Sequence, residues 1–415
     1  MGAEELADRG AGRQEGGSSQ GRLKEQGPGE EAHLELGLGE VRLRLLDLDL
    51  HLVDPRELLA DIADLHRAGC VAITDDGHPT ATAMLMRRAF EYAGMFGMPV
   101  IEHCEDTTLK GDGVAHEGFH AAALGLRGIP GACEAMGVER GILMAELTNS
   151  HFHVAHMSAR ASIRGVRKAK EAGIKVSCEV APHHFTLTDE ALGTPIPYDT
   201  NTKMNPPLRE VGDRDSMLAG IADGSIDCIA TDHAPHHYDE KKVEFDRAPF
   251  GIVGLETAVS LSLDRLYHAG HVRMPRLIEL LSVNPARILK VAGGTLSEGV
   301  PADITIIAPD MPVRVQASAL KSKSKNTPFD GWELRGGVAA TGVAACAACH
   351  GPNGAGIPAQ YPRVAGQFAD YTLAQLKAFA GEQRTNDPGK VMQSIAVRMT
   401  DKEMRAVAEY TSGLR

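Results

Sequence analysis

The stretch HFHVAHMSARASIRGVRKAKEAGIKVSCEVAPHH, residues 151–184, reads as one strand–helix–strand unit. HFHVAHMS (151–158) is a short apolar run that closes on polar residues. Ile163, Val166 and Ala169 follow at helical spacing, and Gly173 stands where a helix C-terminus favours a residue free to take positive φ. IKVSCEVAPHH (174–184) then returns to an extended apolar run. Two strands joined by a helical crossover run parallel, so this unit predicts an α/β protein with a parallel sheet.

Working outward, three further strand candidates share the same texture: CVAITDDG (70–77), PVIEHCED (99–106) and DCIATDHAPH (227–236). Between the first two lies a helix with Leu85, Ala89, Tyr92 and Phe96 on one expected face. Another apolar strand, ADITIIAPD (302–310), follows the last helix of this region. Each of the five earlier strands ends in a cluster of His, Asp or Glu. One strand ending in a histidine is unremarkable as core, but five in register match a (β/α)₈ barrel, whose active site lies at the C-terminal ends of its strands. Asp and His suit a borderline metal such as zinc, which lowers the pKa of bound water to ~7. Amide hydrolysis needs that nucleophile, and a carboxylate to carry the proton.

The 415 residues, 43% hydrophobic, suffice for a real core and predict two or three domains. Acidic residues outnumber basic ones 55 to 43, and the net charge of -12 argues against nucleic acid as a partner. No apolar run reaches membrane-spanning length and the N-terminus lacks the pattern of a secretory signal, so the expectation is a cytoplasmic protein without membrane contact. Seven cysteines, an odd number mostly set singly in apolar stretches, read as reduced thiols apart from Cys346 and Cys349. Residues 1–51 are rich in Gly, Glu, Gln and Arg and are expected to be disordered; 52–340 form the barrel remnant, and 341–415 a small all-α domain.

The segments ITDDG, VIEHCED, HVAHMSARAS, EVAPHHFTLTDEAL, YDTNTKMNPPLR, DGSIDCIATDHAPH, EFDRAPFGIVGLETA and NTPFDGWEL together resemble the bacterial single-function dihydroorotases of the amidohydrolase superfamily. The resemblance implies an incomplete (β/α)₈ TIM-type barrel of the metal-dependent hydrolase kind. It implies zinc held by Asp76, His103, His156 and Asp232, with Asp232 also the general acid/base. Asn205 and His236 would contact substrate, and Phe250 and Gly251 would shape its pocket. The implied reaction is the reversible cyclisation of N-carbamoyl-L-aspartate to L-dihydroorotate in pyrimidine synthesis. His151, His153, His183, His184, His233 and His237 flank these motifs and are read as structural or supporting. Asp76 is preferred to its neighbour Asp75, and Cys104 is read as buried, because adjacent residues of a strand face opposite ways.

The chain departs from the family in one respect. Members open the barrel with an HxH strand followed by an arginine that grips the substrate carboxylate, whereas here no HxH precedes Asp76. DLDLHLVDP (47–55) reads as a decayed copy in which only His51 survives. Yet 25 positions separate His51 from Asp76, and each strand–helix–strand unit needs ~30 or more. RELLADIADLHRAGC is therefore read as the helix before ITDDG, and residues 1–51 are expected to be a shifted reading frame or a truncation joined to the barrel.

Cys346, Cys349 and His350 form CxxCH, the pattern that bonds haem vinyl groups through two thiols and binds iron through the histidine. With its flanks the segment resembles one domain of a class I c-type cytochrome of the c4 kind, which implies heme c and Met392 as the second axial ligand. Met399 and Met404 are read as core residues. Two amphipathic helices are expected here, 372–381 with Leu373, Leu376 and Phe379 or Ala380 on one face, and 401–410 opened by a capping box of Thr400 and Glu403. Heme attachment belongs outside the cytoplasm, so the site is expected to stay unfilled. Three functions of different class remain open: a dihydroorotase, a c-type electron carrier, and a non-catalytic scaffold for aspartate carbamoyltransferase. The surviving polar clusters favour the enzyme.

Overall fold

Five short strands pair side by side in chain order: β1 (Ile73–Thr74), β2 (Val100–Glu102), β3 (Phe152–Val154), β4 (Val176–Val180) and β5 (Cys228–Ile229). All run parallel, with Ile73 opposite Val100, Val100 opposite Phe152, Phe152 opposite Val176, and Glu179 opposite Cys228. Sequential parallel order with helical crossovers is the arrangement of a (β/α)₈ barrel, and among the described residues the barrel is partial. The computed structural model describes residues 53–54, 58–77, 79–80, 82–297, 305–341, 363–386, 390–397 and 399–413, all within one compact unit, Glu35–Arg415. The expected disorder of 1–51, the reading of His51, and the heme residues Cys346, Cys349 and His350 fall outside the described residues.

Helix α1 (Ile62–Arg67) precedes β1, and the side chain of Asp61 caps it by accepting from the backbone N–H of Asp64. The helix expected from RELLADIADLHRAGC thus starts late, because Leu58–Leu59 pair instead with Val53–Asp54 in a short antiparallel ladder. Helix α2 (Ala83–Met95) buries Met86, Ala89, Phe90 and Ala93. Of the expected face Leu85, Ala89, Tyr92 and Phe96, Ala89 is buried while Tyr92 and Phe96 pack against the core only partly buried, so the buried face is turned toward Met86 and Phe90. Tyr92 keeps its hydroxyl at the rim, where it donates to the Asp61 carboxylate at 3.1 Å, and the ring is only half-buried. Helix α3 (Gly131–Thr148) packs against α2 and β3, and helix α4 (Arg160–Glu171) buries Ile163, Val166 and Ala169 as expected, with Gly173 at φ +76° just beyond it. Helix α5 (Val211–Asp223) adds Met217 and Ile221 to the same core. At its centre the rings of Phe90 and Phe152 lie 5.8 Å apart.

The apolar run at 302–310 becomes β6 (Thr305–Arg314), which pairs antiparallel with β7 (Glu333–Thr341) and stays out of the parallel sheet. Further on, α6 (Ala369–Ala380) and α7 (Asp401–Gly413) match the two expected helices. The Thr400–Glu403 capping box forms: the Thr400 N–H donates to Glu403 at 2.7 Å, and the Glu403 N–H to Thr400 Oγ1 at 3.3 Å. Leu376, Met404 and Val407 make a small buried cluster against which Met392 and Met399 are partly buried.

Where α3 crosses the end of β2, no side chain fits. A Cβ at Gly137 would lie 2.8 Å from the backbone of Cys104 and Glu105. Backbone cannot yield as a side chain can, so Gly137→Ala is expected to destabilise the fold by about 1–3 kcal/mol in urea unfolding, despite alanine's better helix propensity. An unchanged or raised midpoint contradicts this close approach.

Candidate metal centre

The strand ends bring three ligand atoms from three different crossovers to one point. Asp76 Oδ1 lies 3.6 Å from His103 Nδ1 and 3.4 Å from His156 Nε2, and those two nitrogens are 3.0 Å apart. A tetrahedral zinc with bonds of ~2.0–2.1 Å places its ligands at roughly such separations, so one carboxylate and two imidazoles fit that ion. Among the described residues this trio is the group of His, Cys, Asp and Glu able to hold a metal. Asp232 is not within it.

Local structure explains the aim of each side chain. Asp75 turns inward, where its carboxylate accepts from Thr80 N at 2.7 Å, Thr80 Oγ1 at 2.9 Å and the backbone N–H of His103 at 3.0 Å. Asp76 consequently faces the opposite way, and its side chain is 58% exposed at the mouth of the site. Cys104 is buried, as expected from its place beside His103. His156 and Asp232 both hold positive φ, +27° and +48°, a region that residues with a Cβ occupy only when their surroundings enforce it.

His103 has its outer nitrogen engaged. Nε2 faces the Asn205 amide at 3.0 Å and Glu105 Oε2 at 3.6 Å, and Glu105 is held by Lys110 Nζ at 2.9 Å. With Asn205 turned so that its otherwise unpartnered Oδ1 accepts from Nε2–H, the lone pair of Nδ1 is free to face the metal position. Burial opposes the charge on Glu105, yet His103 and Lys110 hold it down at about 2. His156 is supported differently. Its backbone N–H reaches Glu179 Oε1 at 3.4 Å, and His153 Nε2–H donates to the other Glu179 oxygen at 3.1 Å.

Burial works against a charge on His156, but the bond to Asp76 and the charges of Asp232 and Asp76 lift its pKa to about 9. Asp76 is held far below the usual carboxylate range by the His103 and His156 imidazoles beside it. Asp232, its side chain 21% exposed, is raised chiefly by burial, with His156 pulling the other way. Its carboxylate lies 3.9 Å from Nε2 of His183, a buried nitrogen without a hydrogen-bond partner, and burial pushes that imidazole well down, into its neutral form.

Of the expected substrate contacts, His236, Phe250 and Gly251 come together. His236 Nε2–H donates to the Phe250 carbonyl at 2.7 Å. Gly251 has φ +102°, and a Cβ there would lie 2.5 Å from that of Ala234. Asn326 staples this loop, donating to the carbonyls of Ala234 at 2.9 Å and Gly251 at 3.2 Å. Asn205 lies beside His103, and the carbonyl of Lys203, two residues before it, accepts from the Gly251 N–H at 2.8 Å. The sequence reading left Glu105, Glu179 and Asn326 unassigned. The period-two rule could have found Glu105, two residues past His103 on an extended segment. Met392, expected as an axial ligand, lies in the short helix Val391–Ala396 against the Leu376–Met404–Val407 cluster.

The family described as "Dihydro-orotase-like" matches residues 41–162, and "Cytochrome c" matches residues 337–414. The dihydroorotase of Pelotomaculum thermopropionicum is 53% identical over 280 residues, 68% of this chain and 65% of that protein. The dihydroorotase of Pelobacter propionicus is 51% identical over 288 residues, 69% of this chain and 67% of that protein. The chain thus spans about two thirds of the length of the curated relatives it matches. Among solved structures, the L-hydantoinase of Arthrobacter aurescens superposes with TM-score 0.61 at 24% identity, over 68% of this chain and 65% of that one. Dihydropyrimidinase from Brevibacillus agri gives 0.55 at 21% identity, over 62% and 58%. Identities this low show the shared fold.

A protonated His156 must lose its proton before it can bind a metal. Since that proton leaves only as pH approaches about 9, zinc affinity measured by chelator competition is expected to rise about tenfold per pH unit from neutral pH to that value. A flat profile contradicts the arrangement.

Proposed function

This chain belongs to the dihydroorotase family, and from that premise we propose that it is a metal-dependent cyclic amide hydrolase interconverting N-carbamoyl-L-aspartate and L-dihydroorotate, a cytoplasmic step of pyrimidine synthesis. The observation that carries this reading is the convergence of Asp76, His103 and His156, with ligand atoms 3.0–3.6 Å apart, at the strand ends beside the barrel. Zinc is the proposed ion, and when bound it would supply an activated water at neutral pH. The site proposed here is held by these three residues, with Asp232 close enough for its charge to act on His156.

Asp232 is assigned the proton. Its carboxyl, raised by burial, is suited to accept a proton from water and return it to the leaving amide nitrogen, and the neutral His183 imidazole behind it adds no competing charge. Asn205 and His236 are assigned to substrate contact, with Phe250 and Gly251 forming the pocket wall. The retained acids and imidazoles favour the enzyme over a non-catalytic scaffold for aspartate carbamoyltransferase. Among the described residues no helix is long and apolar enough to cross a membrane.

The match of residues 337–414 to the cytochrome c family favours a second reading for the C-terminal segment, that of a c-type electron carrier. Cys346 and Cys349 would bond heme, with His350 and Met392 as axial ligands. In the cytoplasm this attachment is not expected. Pyridine haemochrome spectra of protein purified from cytoplasm should show no c-type signal, and a clear signal overturns that expectation.

The enzyme reading is tested on the zinc-loaded full chain with dihydroorotate and with N-carbamoyl-L-aspartate. Turnover in both directions is expected, with Asp232→Asn lowering kcat by about 10²–10⁴-fold while the fold persists. No turnover in either direction by the folded, zinc-loaded chain sinks the reading.

A further inference from the structure

We propose that Glu134 and Arg209 are positioning residues, a buried pair that holds the His156 loop and the Asn205 segment in the geometry the metal centre needs. The inference rests on the metal reading above. Glu134 lies in the first turn of α3 and is 2% exposed, and Arg209 follows the Pro206–Pro207 pair and is 3% exposed. One Glu134 oxygen accepts from the backbone N–H groups of Ser158 at 3.0 Å and Ala159 at 2.9 Å, and the other accepts from the Ser158 hydroxyl. Arg209 Nε donates to that same Ser158 oxygen at 3.0 Å, and its Nη2 stands 3.6 Å from Glu134.

Such a network does more than neutralise charge. Ser158 is two residues from His156, whose φ of +27° persists only where neighbouring bonds over-determine it. The three bonds from Ser158 and Ala159 to Glu134 supply that determination on one side of the strained residue. The other end of the pair fixes a second loop. Arg209 Nη1 donates to the Ile129 carbonyl at 3.1 Å and meets His116 Nδ1 at 3.2 Å, while the Arg209 carbonyl accepts from Asp189 N at 2.9 Å. His184 pins the carbonyl of Pro206 at 2.9 Å, which leaves Asn205 held directly against His103. A small cavity lined by His103, Glu134, Asn205 and Arg209 marks where the pair borders the site. Glu134 and Arg209 therefore act through Ser158 and Asn205, and neither needs to touch metal or substrate.

The test measures zinc affinity of the full chain by chelator competition, together with the visible absorption of its cobalt form. Glu134→Gln combined with Arg209→Met removes both charges at once, so that no unpaired charge is left buried. This double variant is expected to bind zinc about 10–100-fold more weakly and to shift the cobalt bands while keeping its far-ultraviolet circular dichroism. Ser158→Ala should weaken zinc in the same direction, and Ser158→Thr, which keeps the hydroxyl, should recover it. Should the double variant fail to fold, the two Ser158 variants decide. Affinity and cobalt spectrum within about twofold of the parent in folded Ser158→Ala overturn the inference alone. A parent chain that takes up no zinc overturns the metal reading and this inference with it.

Discussion

The parallel ladder from β1 to β5 is the constraint on which the rest depends. Ile73, Val100, Phe152 and Val176 stand opposite one another across four strands, so the polar ends that follow emerge along one rim. Only for that reason do a carboxylate and two imidazoles separated by 27 and 53 residues in the chain meet within 3.6 Å of one another. A slip of one residue in any ladder would send that strand's side chains to the other face. The register is held in turn by apolar packing, with Phe90 of α2 against Phe152 of β3 and the glycines of α3 letting the helix lie directly on the strand ends.

Polar groups buried behind that rim are costly unless paired, and most are paired. Asp75 takes three donors, Glu105 takes Lys110, Glu179 takes His153, and Glu134 takes Arg209 with Ser158. Buried atoms left without partners include His156 Nδ1 beside the ligand cluster and His183 Nε2 against Asp232, and also Glu102 Oε2, Arg140 Nε and Ser262 Oγ.

Much of this was legible in the residues. Alternating apolar runs and amphipathic helices gave the parallel α/β arrangement, Gly173 closed its helix at positive φ, and the choice of Asp76 over Asp75 followed from strand alternation. The capping box at Thr400 was equally local. Errors arose where local pattern met tertiary competition. The α2 face turned because Phe90 and Met86 fill the core more completely than Tyr92, whose hydroxyl stays at the rim with Asp61. The helix before β1 lost its first residues to a strand pairing that its sequence does not announce. Glu134, Arg209 and Asn326 carried no sequence signal as supports, since their side chains act on residues at least 24 positions away.

The amino-acid sequence by itself determined the strand–helix alternation, the family, and which side chains could serve as ligands, because those depend on residue type and short-range period. Tertiary structure alone decided that three of the four expected ligands converge while Asp232 stands beside His183, and that His236 meets Phe250 while Asn205 meets His103. It also decided which buried charges serve as supports. The physical reason is range: propensity and periodicity act over one or two turns of chain, whereas a metal centre is set by where strand ends meet, which only ladder register and core packing can fix.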